Sequence, residues 1–278
     1  MRGMPRADVN GISLYYEVAG SGPPLVFVHG FSCGIRSWDP QVRAFSKRFR
    51  VVTYDVRGHG ITEAPRDPGR YSQPTSIADL AGLLDHLKIR RAFVGGLSMG
   101  GNIALNFALT HPDRVRALIV ADTGSGSDES AEWIAGAHAF ADAAERSVEA
   151  FADMACANPL FARFVAQGPE AERFIRSCLM THRGHGIAHT AREVLAKRPT
   201  LYALEAKLRE LRVPTLLIVG EHDDPCVRVH AFMAKVLPRA TALVIPGVGH
   251  LTNLEAPDVF NRAVRRFLAQ AGRTNAKR

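Results

Sequence analysis

The sequence predicts an α/β fold: a mostly parallel, doubly wound sheet with an N-terminal antiparallel hairpin and a helical cap inserted between two of its strands. Three observations carry this expectation. Short continuous apolar runs recur along the chain, each ended by Gly, Asp or Pro, and runs apolar on both faces are what the strands of a helix-covered parallel sheet look like. Helical patterns, apolar every three or four residues, lie between them. The alternation then breaks between about Gly124 and Arg212, where no strand-like run occurs.

Taken in order, Ile12-Ser13-Leu14-Tyr15-Tyr16-Glu17-Val18 follows the turn signal Asn10-Gly11 and ends at Gly20-Ser21-Gly22, which predicts a hairpin. The buried runs are Leu25-Val26-Phe27-Val28, Val51-Val52-Thr53-Tyr54, Ala92-Phe93-Val94, Ala117-Leu118-Ile119-Val120, Thr215-Leu216-Leu217-Ile218-Val219 and Ala242-Leu243-Val244-Ile245. A helix is expected over Ser76 to Leu87, and alternation of this kind implies right-handed crossovers. The stretch without strands reads as several helices broken at Asn158-Pro159, Gly168-Pro169 and Gly184 to Gly186. The expected organisation is therefore a core of residues 1–125 and 211–278, with residues 126–210 inserted as a lid over the strand ends.

With 278 residues, 46% of them hydrophobic, the chain can bury one large core. Met1 to Asp8 carry no apolar signal region, and no apolar run is long enough to cross a bilayer, so a cytoplasmic protein with no membrane partner is expected. The four cysteines Cys33, Cys156, Cys178 and Cys226 are far apart and form no zinc spacing, which fits free thiols in a reducing compartment. A net charge of +8 is scattered, without a basic stripe interleaved with aromatics, so no nucleic-acid partner is expected. His182, His185 and His189 invite a metal reading, but no carboxylate or cysteine completes the set; neither metal nor cofactor is expected. The oligomeric state is left open.

In an open α/β sheet, ligands meet the carboxyl ends of the strands. His29-Gly30-Phe31, Gly96-Leu97-Ser98, Gly220-Glu221-His222-Asp223-Asp224 and Pro246-Gly247-Val248-Gly249-His250 each follow an apolar run. Ser98, Asp223 and His250 thus emerge at one edge. Ser98 stands between a strand-like and a helix-like run, the setting in which a serine is held on a sharp, strained turn with its hydroxyl lifted clear. A Cβ two residues before or after would collide with that turn, and Gly96 and Gly100 remove both. A serine is a weak nucleophile until a neighbouring imidazole takes its proton, the task open to His250, with Asp223 accepting the other ring N–H. The backbone N–H groups of Met99 and Phe31 are candidate donors to an oxyanion.

These motifs, GLSMGG at the elbow, His29-Gly30, Tyr54-Asp55-Val56-Arg57-Gly58-His59-Gly60, GEHD and the GxGHLxNLExP segment, stand in order and spacing that resemble the serine-nucleophile branch of the α/β-hydrolase superfamily. The resemblance runs from the hairpin to the helix near Ala256 to Ala269. It implies that the insertion is the family's cap domain, that the spacing from Gly220 selects Asp223 over Asp224, and that His29 supports the oxyanion loop. It also implies loop architecture for Arg57, His59 and Gly60, and names Asp122 as the substitute acid in some relatives. In the cap, Trp133, Phe140, Phe151, Met154, Phe161, Phe164, Phe174 and Met180 are expected to build a core and in part a pocket. Arg163, Arg173, Arg176, Arg183 and Arg192 are expected in solvent, unless one faces inward to pair with a substrate carboxylate.

A serine at the elbow sets the chain apart from the aspartate-dependent dehalogenase and epoxide hydrolase relatives. Elbow and YDxRGHG stretch are similar to 3-oxoadipate enol-lactonases and carboxylesterases, although those lactonases often carry an asparagine where this chain has His29-Gly30. The resemblance implies hydrolysis of a small-molecule carboxylic ester or lactone through an acyl-enzyme on Ser98. A C–C bond hydrolase or cofactor-free perhydrolase on the same triad, and a ligand receptor on the same scaffold, are the alternatives.

Overall fold

Asn10 and Gly11 both take positive φ, 45° and 71°, so that Val9 and Ile12 pair directly across a two-residue turn. The turn joins β1 (Arg6–Val9) to β2 (Ile12–Ala19) in the expected antiparallel hairpin. The computed structural model describes residues 4–128 and 130–276. Beyond the hairpin come β3 (Pro24–Val28), β4 (Arg50–Tyr54), β5 (Ala92–Leu97), β6 (Val115–Ala121), β7 (Thr215–Gly220) and β8 (Ala240–Ile245). They form one eight-stranded sheet in the order β1-β2-β4-β3-β5-β6-β7-β8. β2 meets β4 antiparallel, and every pair from β4 to β8 is parallel.

The helices, in chain order, are α1 (Asp39–Phe45), α2 (Gln73–His86), α3 (Met99–Thr110), α4 (Ser130–Arg146), α5 (Val148–Ala157), α6 (Pro159–Val165), α7 (Pro169–Leu179), α8 (Gly184–His189), α9 (Glu205–Glu210), α10 (Asp224–Val236), α11 (Thr252–Glu255) and α12 (Pro257–Ala276). Neighbouring residues within a strand serve opposite layers. Val26 and Val28 pack with Leu80, Ile103 and Val229 of α2, α3 and α10. Leu25 and Phe27 pack with Phe45, Phe260 and Val264 of α1 and α12. This two-sided burial is why the central runs are apolar throughout. The run at β8 departs from that expectation, because β8 is the sheet edge and Val244 is 49% exposed. One covered face is enough to explain an apolar strand there, so continuous hydrophobicity does not distinguish an edge from the interior.

α4 to α9 occupy the stretch between β6 and β7, and no strand occurs in it among the described residues. Its breaks follow local chemistry. Asn158 accepts the Leu160 N–H with Pro159 at the first helical position, and Ser147 caps α5 by accepting the Ala150 N–H. A π-helical turn, Thr190–Leu195, continues α8.

Because the chain leaves β3 toward β4 on one side and returns to β5 on the other, the sheet reverses its winding between β3 and β5. A crevice opens there at the strand ends. The loop that follows β4 is held to the frame by Arg57, which is buried and donates Nε and Nη2 to the two carboxylate oxygens of Asp79 on α2, at 2.8 and 2.7 Å. Asp79 also accepts from Asn10 Nδ2 at 3.0 Å. Removing one partner strands a buried charge. Asp79→Ala is expected to lower unfolding free energy by about 3–5 kcal/mol, measured by urea denaturation; a loss below about 1 kcal/mol would be the signature of an ordinary surface pair.

Candidate active site

β5 runs into α3 with a single residue, Ser98, at the reversal. Its backbone sits at φ 56°, ψ −116°, a region that an L-residue occupies only under constraint. The constraint is visible on both sides. Ser98 N donates to the Ala121 carbonyl at 2.8 Å, and its own carbonyl accepts from Asn102 N at 3.0 Å. A Cβ on Gly96 would lie 2.2 Å from the Gly100 oxygen, and one on Gly100 would lie 2.1 Å from the Val28 oxygen. Glycine at both positions is therefore a packing requirement of the turn. Met99, the first residue of α3, has no intrahelical acceptor for its N–H.

Beyond the end of β7, Asp223 immediately precedes α10 and is fully buried, whereas Asp224 is exposed. Asp223 Oδ2 accepts from Nδ1–H of His250 at 2.9 Å. Since the carboxylate takes the Nδ1 proton, Nε2 of His250 is the nitrogen left to act as a base. Burial works to lower the His250 pKa, but the charge and hydrogen bond of Asp223, with Asp122 adding to them, hold it above the ordinary histidine value. Cys226 Sγ, Asp223 and His250 offer atoms within 4.8 Å of one another. Burial and the Asp223 charge push that thiol well up, so it stays protonated, and Nδ1 of His250 is already taken.

Asp122, at the end of β6, makes no bond to His250. Instead its Oδ1 accepts from Gly220 N at 3.0 Å, and its Oδ2 from the N–H and hydroxyl of Thr252 at 3.2 and 2.5 Å. It clamps the acid turn to the histidine loop. Burial, then the nearby Asp223, push its carboxyl well above the usual range. Nothing in the local sequence around Asp122 announces this, since both partners are about a hundred or more residues away.

The loop after β3 is held by histidines on three sides. His29 accepts from Val56 N at 2.9 Å through Nε2, so its Nδ1–H donates to the Gly30 carbonyl at 2.8 Å. His59 Nε2 accepts from Ser32 N at 3.3 Å. His182, from the insertion, accepts from Gly60 N at 2.8 Å and donates to the Ser32 carbonyl at 3.0 Å. His185 and His189 donate to the Ala64 and Arg66 carbonyls at 2.9 and 3.0 Å. The three insertion histidines thus make four separate backbone contacts, pinning the insertion to the loops that follow β3 and β4. Burial lowers His29 and His182 to about 4, and lowers His59 well below its ordinary value with help from its two histidine neighbours.

Above Ser98 and His250 lies a cavity of about 400 Å³. Gly30, Phe31, Leu97 and Leu251 come from the strand ends; Trp133, Ala137, Phe140, Leu160, Phe161 and Leu195 come from the insertion. A Cβ on Gly30 would stand 3.4 Å from Cβ of Ser98, so the β3 loop and the elbow are in direct contact. Of the other apolar insertion residues named above, Phe151 and Phe164 are buried in its core and Met180 is 41% exposed. Three of the five arginines have partners in the protein and none of the five lines the cavity: Arg163 is on the Gly247 carbonyl, Arg176 on Asp153, Arg192 on Asp142 and Glu145. Sequence reasoning passes over Arg198, which donates to the Ser125 carbonyl at 3.0 Å and lies 5.3 Å from the ring centre of Trp133.

A family model described as alpha/beta hydrolase fold matches residues 23–257. A Bacillus subtilis (strain 168) protein provisionally named 2-succinyl-6-hydroxy-2,4-cyclohexadiene-1-carboxylate synthase is 32% identical over 91% of this chain and 94% of its own. Among solved structures, the enol-lactonase from Burkholderia xenovorans LB400 superposes with a TM-score of 0.84 at 31% identity, over 95% of this chain and all of that one. A thermophilic esterase from Thermogutta terrifontis, with malate bound, gives 0.85 at 29% identity, over 96% and 98%.

The neutral histidines make a pH statement. His29 and His182 have folded pKa values depressed to about 4, so their contribution is fully present above the unfolded value near 6.5 and is lost as pH falls through 4. Urea stability is expected to drop steeply from pH 6.5 to 4. In His182→Ala, stability at pH 7 falls by about 1–3 kcal/mol, and the acid decline becomes shallower because one fewer proton is taken up on unfolding. An undiminished slope would show that His182 titrates normally.

Proposed function

The chain belongs to the alpha/beta hydrolase fold family and is a hydrolase, and from that premise we propose that it cleaves a small carboxylic ester or lactone through an acyl-enzyme on Ser98. The observation that carries this reading is the buried Asp223–His250 hydrogen bond of 2.9 Å, opening on the same cavity as the strained serine. Ser98 Oγ attacks the carbonyl carbon while His250 Nε2 takes its proton, and Asp223 stabilises the imidazolium that forms. The tetrahedral oxyanion is received by the N–H groups of Met99, at the α3 N-terminus, and Phe31. Collapse expels the alkoxide, which takes the proton back from His250; in a lactone the alcohol stays tethered. Water then repeats the sequence on the acyl-serine and restores the enzyme.

Other parts of the molecule support these roles. His29, His59 and His182 fix the backbone around Phe31, and Asp122 holds the acid and histidine loops in register. The insertion, residues 126–210, acts as a lid: it supplies one wall of the cavity that holds the substrate over Ser98. Four unpaired thiols fit the cytoplasm as its place of work.

The test is turnover of short aryl esters by point variants. Ser98→Ala is expected to lose at least about 10³-fold in kcat/KM. Asp223→Asn is expected to lose about 10²–10⁴-fold, whereas Asp224→Asn stays within a few-fold. Because His250 works as the neutral base and its pKa is raised, the acid limb of kcat/KM should bend above pH 6.5. Undiminished activity in Ser98→Ala, or a flat acid limb, would contradict the mechanism.

A further inference from the structure

Resting on the serine-hydrolase reading, we propose that the substrate is an electrically neutral, largely apolar ester or lactone, and that esters bearing a carboxylate are rejected.

Apart from His250 and the thiol of Cys33, the only ionisable side chain among the described lining residues is Glu132, an acid, and no lysine or arginine is among them. The rest of the wall is dominated by Phe31, Leu97, Trp133, Phe140 and Leu160. A carboxylate entering such a space gives up its hydration and finds no guanidinium fork or ammonium in return. It would also approach the acid Glu132 and the buried Asp223 to which His250 is hydrogen-bonded. A neutral acyl chain meets none of these penalties and gains by burying its apolar surface.

Arg198 stands behind this wall, and its placement argues for the same conclusion. It borders a separate recess of about 30 Å³ that shares Ser125, Gly126, Trp133 and Leu195 with the main cavity, while Arg198 itself lines only the recess. Trp133 therefore partitions the guanidinium from the substrate space. With Nη2 on the Ser125 carbonyl and the charge over the indole, Arg198 stiffens the partition. At about 400 Å³ the cavity is near the small end of ligand sites, so acyl and alcohol parts together amount to a small molecule.

The experiment uses isosteric pairs that differ only in charge. The esters are 4-carboxyphenyl butyrate against 4-carbamoylphenyl butyrate, and mono-4-nitrophenyl adipate against 4-nitrophenyl adipamate, each corrected for its alkaline hydrolysis rate. The full-length enzyme is expected to favour both amides by about 100-fold or more in kcat/KM. Glu132→Gln should narrow those ratios by about 2–5-fold, the range of a solvent-screened charge. Ratios within about 3-fold, or a preference for the carboxylates, would overturn the charge selectivity while leaving the nucleophile intact. Turnover that persists in Ser98→Ala, or none on all four esters, overturns the serine-ester reading and this inference with it.

Discussion

A non-glycine residue held at φ 56°, ψ −116° must be compensated by everything around it, and at Ser98 the compensation reaches across the sheet. The turn closes only because Gly96 and Gly100 let backbone from β5, α3 and the end of β3 approach within distances that a Cβ forbids. Its N–H is spent on β6 through the Ala121 carbonyl. Three adjacent parallel strands therefore fix one hydroxyl. The same close approach brings the β3 loop against the elbow, so the strain at Ser98 and the placement of the Phe31 and Met99 N–H groups are two aspects of one packing constraint.

Around that point the electrostatics divide into two regimes. Beneath His250, two buried carboxylates face each other's charge, and their difference in hydrogen bonding gives them different tasks. Asp223 carries the imidazole; Asp122 is spent on Gly220 and Thr252. Under the Phe31 loop, by contrast, His29, His59 and His182 are all held neutral by burial and act as fixed hydrogen-bonding struts. His250, hydrogen-bonded to a carboxylate, is thus held above the ordinary histidine value, while the three histidines bonded only to backbone are held below it.

Much of this was legible in the residues. Apolar runs located β3 to β8, because a parallel sheet covered on both faces leaves no polar period to confuse the pattern, and the Asn10-Gly11 turn located the hairpin. The elbow was legible because its steric demand falls on residues two positions away in the chain. Asp223 and His250 were legible through their position after successive strands. What stayed hidden depends on distant partners. The edge position of β8 is a matter of topology, which composition does not encode. His182 reaches Gly60 and Ser32 across 122 and 150 residues, and Asp122 reaches Thr252 across 130. A histidine in a loop and an aspartate after a strand look the same whether they clamp, titrate or face solvent.

The account stands on Ser98 being an activated nucleophile, and covalent labelling reads that directly. Treated with one equivalent of a fluorophosphonate, the protein should gain one phosphonyl group, mapped by peptide mass spectrometry to Ser98, and the rate should fall by at least about 10²-fold in His250→Ala. Labelling at another residue, or at Ser98 with a rate indifferent to His250, would contradict the account.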